Sequence, residues 1–270
     1  MKTFKLGNQQ IPAIGFGTWK LTSSVCTDSV KTALDIGYRH IDTADIYGNH
    51  KEVGIAIKNS GLKREEIFLT SKVWHTNLRK KDVIDCARRN LDELQTDYMN
   101  LYLVHWPNRN IDIRETAEAL EELKRENLIR DWGVSNFNEH HLKDCIDFGF
   151  KPVNNQVEFH PSFYQRNLKQ FADDNNILLT AYSPLGQGYD LNLPEITDLS
   201  LKYGKSAAQI ILNWISSKNI VVIPKATIYE PIKENFESLT FTIEQEDLNR
   251  IDSIKTNKRL LEPNFSDFNY

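Results

Sequence analysis

Ile67-Phe68-Leu69-Thr70-Ser71-Lys72, the loop Val73-Trp74-His75-Thr76-Asn77, and then Lys81–Gln95 form one strand, one loop and one helix. The repetition of this unit decides the fold. Ile67-Phe68-Leu69 is a continuous apolar run of the kind found in a strand buried on both faces. In Lys81–Gln95 the apolar residues Val83, Ala87, Leu91 and Leu94 recur at helical spacing. Lys72, closing the strand, is the informative residue. Long cations are almost never fully buried unless paired, so Lys72 calls for a carboxylate from elsewhere in the chain.

Working outward, the same alternation runs almost end to end. Candidate strands are Ile14–Gly17, Arg39–Asp42, Ile67–Lys72, Met99–His105, Ile129–Ser135, Pro152–Glu158, Ile177–Ser183 and Val221–Pro224. Amphipathic stretches lie between them. Ser206 and Gln209 form a capping-box signature ahead of Ile210, Ile211 and Trp214, and Leu142, Cys145 and Ile146 mark another apolar face. Eightfold strand-helix alternation predicts a (β/α)8 barrel occupying residues 1–270 as one domain. The alternative is a doubly wound open sheet, whose dinucleotide-binding form needs Gly-x-Gly-x-x-Gly at its first turn. The first turn here reads Gly15-Phe16-Gly17-Thr18-Trp19-Lys20 and lacks the third glycine. Ahead of the barrel, Thr3–Leu6 and Gln10–Pro12 flank Gly7-Asn8, a hairpin signal. Such a hairpin would plug the barrel bottom.

Composition narrows the function classes. The 270 residues are 40% hydrophobic and 26% charged, ordinary for a globular protein. A net charge of -4 and a pI near 6.0 argue against nucleic acid as the main partner. No apolar stretch approaches the roughly 20 residues that span a membrane, and the N-terminus lacks a signal-peptide core. Cys26, Cys86 and Cys145 are odd in number and widely spaced, which suits reduced cytoplasmic thiols. No metal is expected, because the one histidine of the polar cluster described next has no partner ligands.

Chemistry collects where strands run out. Asp42 ends the second strand and Tyr47 follows it; Lys72 ends the third and His105 the fourth. In a barrel these ends share the C-terminal face, where active sites lie. Asp42 is therefore the expected partner of Lys72.

At these residues the sequence resembles the aldo-keto reductase family. The matching stretches, in order, are Gly15–Trp19, Gly37–Tyr47, Thr70–Lys72, His105–Pro107, Gly133–Phe137, Asn155–Glu158, Ala181–Gly186 and Val222–Lys225. They span nearly the whole chain. Within the family it looks most like compact bacterial reductases of 2,5-diketo-gluconate, methylglyoxal and similar carbonyls, whose ending Asn257–Pro263 is similar to. The resemblance implies hydride transfer from a nicotinamide to a carbonyl, with Tyr47 as general acid. A free tyrosine has a pKa of ~10, and the Lys72 ammonium is expected to lower it, with Asp42 keeping that ammonium charged and aimed. His105 would orient and polarise the carbonyl.

The resemblance also implies a cofactor site. Tyr182 would stack on the nicotinamide; Ser135, Asn136 and Gln156 would hold its carboxamide. The backbone at Ser183, Leu185 and Gly186 would cradle the pyrophosphate. Gly17, Thr18 and Asp42 complete the inner set. Lys225, followed by Ala226 and Thr227, would meet the 2′-phosphate of NADPH, with Glu234 and Asn235 near the adenine. Many relatives have Ser and Arg where this chain has Ala226 and Pro231, and lysine cannot reproduce a planar guanidinium fork. Lys233 would compensate in part. NADPH is expected, with a weakened preference over NADH.

Trp19, Trp74 and Trp106 would wall the substrate pocket, with Asn77 bonding a substrate hydroxyl. Many relatives carry Glu where this chain has His50, which would alter the entry to the next helix. The loop around Asn108–Arg114 and the tail beyond Pro263 are short, which predicts an open pocket with loose selection of small aldehydes, α-dicarbonyls and keto-sugars. A monomer is the family default. The rival readings are a nicotinamide-binding sensor or structural subunit on the same fold, and a dehydrogenase working toward alcohol oxidation.

Overall fold

Strand and helix alternate from residue 16 to residue 252 in the computed structural model, which describes residues 1–270. Two short strands come first, β1 (Thr3–Leu6) and β2 (Gln9–Pro12), paired antiparallel. The barrel follows as β3 (Phe16–Gly17), α1 (Ser23–Ile36), β4 (His40–Asp42), α2 (His50–Asn59), β5 (Phe68–Val73) and α3 (Lys80–Leu94). It continues as β6 (Met99–Val104), α4 (Ile113–Arg125), β7 (Ile129–Ser135), α5 (Glu139–Asp147), β8 (Asn154–Glu158), α6 (Arg166–Asp174) and β9 (Leu178–Tyr182). The last turn of the barrel is doubled, with α7 (Pro194–Tyr203) and α8 (Ala207–Ser217) before β10 (Val221–Val222). Helices α9 (Tyr229–Phe236) and α10 (Gln245–Asp252) complete the ring.

Strands β3 to β10 pair in sequence order, all parallel. The two edges meet through the Ile14–Val222 bridge, and the Gly15 and Gly17 amides donate to the Val222 and Pro224 carbonyls at 2.8 and 3.0 Å. A Cβ on Gly17 would stand 2.9 Å from the Ile223 carbonyl oxygen, so glycine is what lets the seam close. The (β/α)8 barrel is thus the fold, and the open-sheet alternative fails at this seam.

The hairpin turns at Gly7, whose φ of 53° suits glycine. Its inward residues Leu6 and Ile11 are buried against Phe68, Leu101 and Val221. Phe68 and Val221 are the first residues of their strands, so the hairpin seals the end of the barrel opposite the strand C-termini. Each such aliphatic burial is worth about 1.5–3 kcal/mol. The capping box of α8 forms: the Ser206 hydroxyl accepts from the Gln209 amide and the Gln209 side chain accepts from the Ser206 amide.

The strands are shorter than the apolar runs suggest at several ends. Arg39, Ile67, Pro152, Val153, Ile177, Ser183, Ile223 and Pro224 lie outside them. The reason is local. The chain is already turning at Ser183, where φ is 46°, and an apolar pattern reports burial rather than ladder pairing.

Candidate active site

The C-terminal ends of the strands open on one cavity of about 890 Å3, lined among others by Gly17, Thr18, Trp19, Asp42, Tyr47, Trp74, His105, Trp106, Asn136, Gln156, Tyr182 and Lys225. Register explains the convergence. Lys72 stands beside Leu103 in β5–β6, and Asp42 beside Gly17 and Thr70. His105 follows β6 directly, its amide donating to the Val73 carbonyl at 3.0 Å.

Lys72 is completely buried. Its Nζ donates to Asp42 Oδ1 at 2.5 Å and to the Thr43 carbonyl at 2.8 Å. Asp42 Oδ2 accepts from Gln156 Nε2 at 2.7 Å. Burial raises the Asp42 carboxyl and lowers the Lys72 ammonium, and their mutual attraction opposes both shifts. Tyr47 sits in the one-turn 3-10 helix Asp45–Tyr47, with Lys72 Nζ 5.2 Å from its ring centroid. That turn is anchored by Asn49, which donates to the Thr18 and Leu21 carbonyls and accepts from Thr43 Oγ1.

The expectation that Lys72 draws down the Tyr47 pKa is corrected here. Burial, the Asp42 charge and Tyr182 push the phenol well above its ordinary value. The physical reason is chiefly desolvation: the enclosed site penalises the phenolate, and the Asp42 carboxylate adds to that penalty. Tyr47 is therefore a phenol that keeps its proton at neutral pH. His105 is held well below its ordinary value by burial and by Lys72, so its imidazole is neutral. Its Nδ1 is buried without a partner, which leaves Nε2 as the nitrogen open to the cavity. Trp74 and Tyr47 fix the ring by edge contacts, at centroid distances of 5.1 and 5.7 Å.

Ser135, Asn136, Gln156 and Tyr182 come together beside this group. Asn136 Nδ2 donates to the His105 carbonyl and to Ser135 Oγ at 2.9 and 3.1 Å, and Asn136 Oδ1 accepts from the Tyr182 hydroxyl at 2.7 Å. Ser135 Oγ donates to the Gln156 carbonyl at 2.8 Å. With these bonds made, Gln156 Oε1 remains to accept, while Ser135, which is buried and does not line the cavity, keeps one lone pair. Tyr182 keeps part of its ring exposed on the cavity wall. Gln156, with Oε1 and the second Nε2 hydrogen, thus offers an acceptor and a donor beside a flat aromatic face, which fits an aromatic carboxamide. Ser183 and Gly186 have φ values of 46° and 58°, so the loop after β9 turns sharply and presents backbone, while Ser183, Leu185, Gln187 and Gly188 line the cavity. Thr18 is buried, its hydroxyl donating to the Asp42 carbonyl at 3.0 Å.

Other predicted residues fall elsewhere. Asn77 does not line the cavity; its side chain accepts from Thr76 and lies near Cys86 of α3. Ala226, Thr227, Glu234 and Asn235 lie outside the cavity, on the segment after β10 and on α9. Lys225 lines it with an exposed side chain, while Lys233 faces Glu237 at 4.0 Å. His50 is a core group, bonded to Ser71 Oγ at 2.8 Å.

The pocket is also less open than its short loops suggest. The tail crosses the rim and adds Leu261, Glu262, Pro263 and Phe265 to the wall. Phe265 stacks on His75 at 4.2 Å and meets Trp74 and Trp106 edge-on at 5.4 and 5.5 Å. Asp267 ties the tail down through Arg109 and, at 3.3 Å, His141. The available sequence signal was aromatic spacing, Phe265, Phe268 and Tyr270 in an otherwise polar end. Loop length alone does not report it.

Residues 13–256 match the aldo/keto reductase family. The glyoxal reductase of Bacillus subtilis is 42% identical over 261 residues, covering 96% of this chain and 94% of that protein. The methylglyoxal reductase DkgA of Escherichia coli K12 is 39% identical, covering 93% and 92%. Among solved structures, the aldo-keto reductase MGS-M4 from a Medee basin deep-sea metagenome library superposes with a TM-score of 0.93 at 39% identity, covering 97% of both chains.

Proposed function

We propose that this chain, which belongs to the aldo/keto reductase family, is an NADPH-dependent oxidoreductase that converts small aldehydes, α-dicarbonyls and keto-sugars to alcohols. The observation that carries this reading is the convergence of Asp42, Tyr47 and His105 on one cavity, with Lys72 bonded to Asp42. Relatives named as glyoxal and methylglyoxal reductases support the dicarbonyl class.

When bound, the reduced nicotinamide supplies the hydride. Ser135, Asn136 and Gln156 would hold its carboxamide, Tyr182 its ring face, the backbone from Ser183 to Gly186 its pyrophosphate, and Lys225 a 2′-phosphate. His105 donates from its neutral imidazole to the substrate oxygen and polarises the carbonyl. Tyr47 passes its phenolic proton to the developing alkoxide, a base strong enough to take it from a phenol of raised pKa. Lys72 and Asp42 seat Tyr47 and His105 in a fixed, dry field. A phenol that holds its proton favours reduction near neutral pH, because oxidation requires the phenolate.

Adding methylglyoxal, phenylglyoxal or glyceraldehyde to enzyme and NADPH should give steady NADPH oxidation. Tyr47→Phe should lower turnover by about 10²–10⁴-fold and leave NADPH affinity within about threefold. Binding of NADPH with no turnover of any carbonyl would favour a sensor and overturn the reading.

A further inference from the structure

Away from the reacting groups, three ionisable side chains are wholly enclosed in one line. Glu158 at the end of β8, His160 just after it and Asp190 beyond β9 are each 0–1% exposed. His160 Nε2 bonds Glu158 Oε1 and Nδ1 bonds Asp190 Oδ2, both at 2.9 Å. An ionised carboxylate only accepts, so both ring nitrogens donate and His160 is an imidazolium. Its raised pKa, sustained by the two carboxylates against burial, agrees with this.

The two ends of the line reach different parts of the cavity. Glu158 accepts from the tail: the Leu260 amide reaches Oε1 at 2.7 Å and the Leu261 amide reaches Oε2 at 2.9 Å. Leu261 begins the stretch of wall that ends at Phe265. Asp190 accepts from the Ser162 hydroxyl and amide at 2.5 and 3.0 Å. It also lies directly under the sharp turn after β9, where a Cβ on Gly186 would stand 2.7 Å from its carboxyl carbon. The segment before Asp190 supplies Ser183, Leu185, Gln187 and Gly188 to the cavity. Three donors converge on Glu158, from two directions and on both oxygens. A glutamine has one acceptor oxygen and would turn its NH2 against a donor.

We propose that the Asp190–His160–Glu158 line is a positioning relay that ties the loop after β9 to the C-terminal wall, so that a dinucleotide seated on the loop tightens the substrate side of the pocket. Glu158 is the positioning residue for that wall. The relay touches no reacting atom and acts by holding the Leu260 and Leu261 amides in place. Linkage makes the effect reciprocal: whatever the loop does to the wall, a ligand on the wall does to the loop. The assignment of the loop to a dinucleotide rests on the proposed function; the anchoring of the tail does not.

Hydrogen exchange of the tail amides tests the relay without turnover. In the wild-type chain, NADPH should slow exchange at Leu260 and Leu261 at least about tenfold. In Asp190→Asn the slowing should shrink to under about threefold, and in Glu158→Gln both amides should exchange fast with or without NADPH. Leu260→Pro removes one donor from outside the buried line, so it serves even where Glu158→Gln fails to fold, and it should speed exchange at Leu261. With active enzyme, Glu158→Gln should raise KM for phenylglyoxal at least about fivefold over that for methylglyoxal, with kcat for methylglyoxal within about twofold. Wild-type exchange rates in Glu158→Gln or Leu260→Pro overturn the anchoring. Equal NADPH slowing in wild type and Asp190→Asn, or none in wild type, overturns the coupling. An inactive wild-type enzyme with the predicted exchange pattern would sink the reductase reading and leave the relay standing.

Discussion

Lys72→Met isolates what the buried ion pair does. The substitution nearly keeps the side-chain volume but deletes an ammonium that is 0% exposed and bonded to Asp42 and Thr43 at 2.5 and 2.8 Å. The Asp42 carboxylate, 2% exposed, is left with the Gln156 amide as its remaining side-chain donor. Stranding one member of a buried pair costs about 3–5 kcal/mol. Asp42 can escape only by protonating, so the loss should be larger at pH 8 than at pH 5. Adding Asp42→Asn removes the stranded charge, and because a buried pair against neutral groups of similar shape is close to break-even, the double variant should regain at least about 2 kcal/mol over Lys72→Met. Urea denaturation of the wild type, both single variants and the double variant closes the cycle. Carbonyl reduction should stay lost in the double variant, because Tyr47 and His105 no longer sit in the field of the pair. A Lys72→Met chain within about 1 kcal/mol of wild type, or a double variant no more stable than Lys72→Met, would refute the reasoning.

Two further outcomes follow from other parts of the molecule. Lys225 is exposed and is the one cation left to meet a 2′-phosphate from the segment after β10; Lys225→Ala should raise KM for NADPH about fivefold, near 1 kcal/mol, and leave KM for NADH unchanged, whereas equal changes would remove that role. His40 is 1% exposed, and burial, helped by Lys72, pushes its pKa down to about 3. Its folded-state pKa lies below the unfolded value near 6.5. Its contribution is thus complete above that value and is lost as pH falls toward about 3. At pH 5 the loss is about 2 kcal/mol. Denaturation at pH 7 and pH 5 should show a smaller acid loss in His40→Gln than in wild type, and identical losses would contradict the assignment.

Much of this was legible in the residues. Alternating apolar runs and amphipathic stretches pointed to the barrel because a strand buried on both faces and a helix buried on one carry different periods. Gly7-Asn8 marked the hairpin, and Ser206 with Gln209 marked a helix start that forms as expected. Asp42, Tyr47, Lys72 and His105 could be grouped because strand ends in a parallel barrel share a face. The tail could not be placed in this way. Its seat depends on Glu158, on the aromatic surfaces of His75, Trp74 and Trp106, and on Arg109, which are far from it in sequence.

The sequence by itself determined the architecture, the family and the identity of the chemical groups, because these follow from local patterns and their order. Only the tertiary structure decided how those groups behave. Lys72 does stand beside Tyr47, 5.2 Å from its ring centroid, and its hydrogen bonds go to Asp42 and Thr43. Burial, with the Asp42 charge, makes Tyr47 hold its proton more tightly than a free phenol, where the reverse was expected. Protonation depends on desolvation and on the nearest charges, and both are set by which side chains pack together in three dimensions.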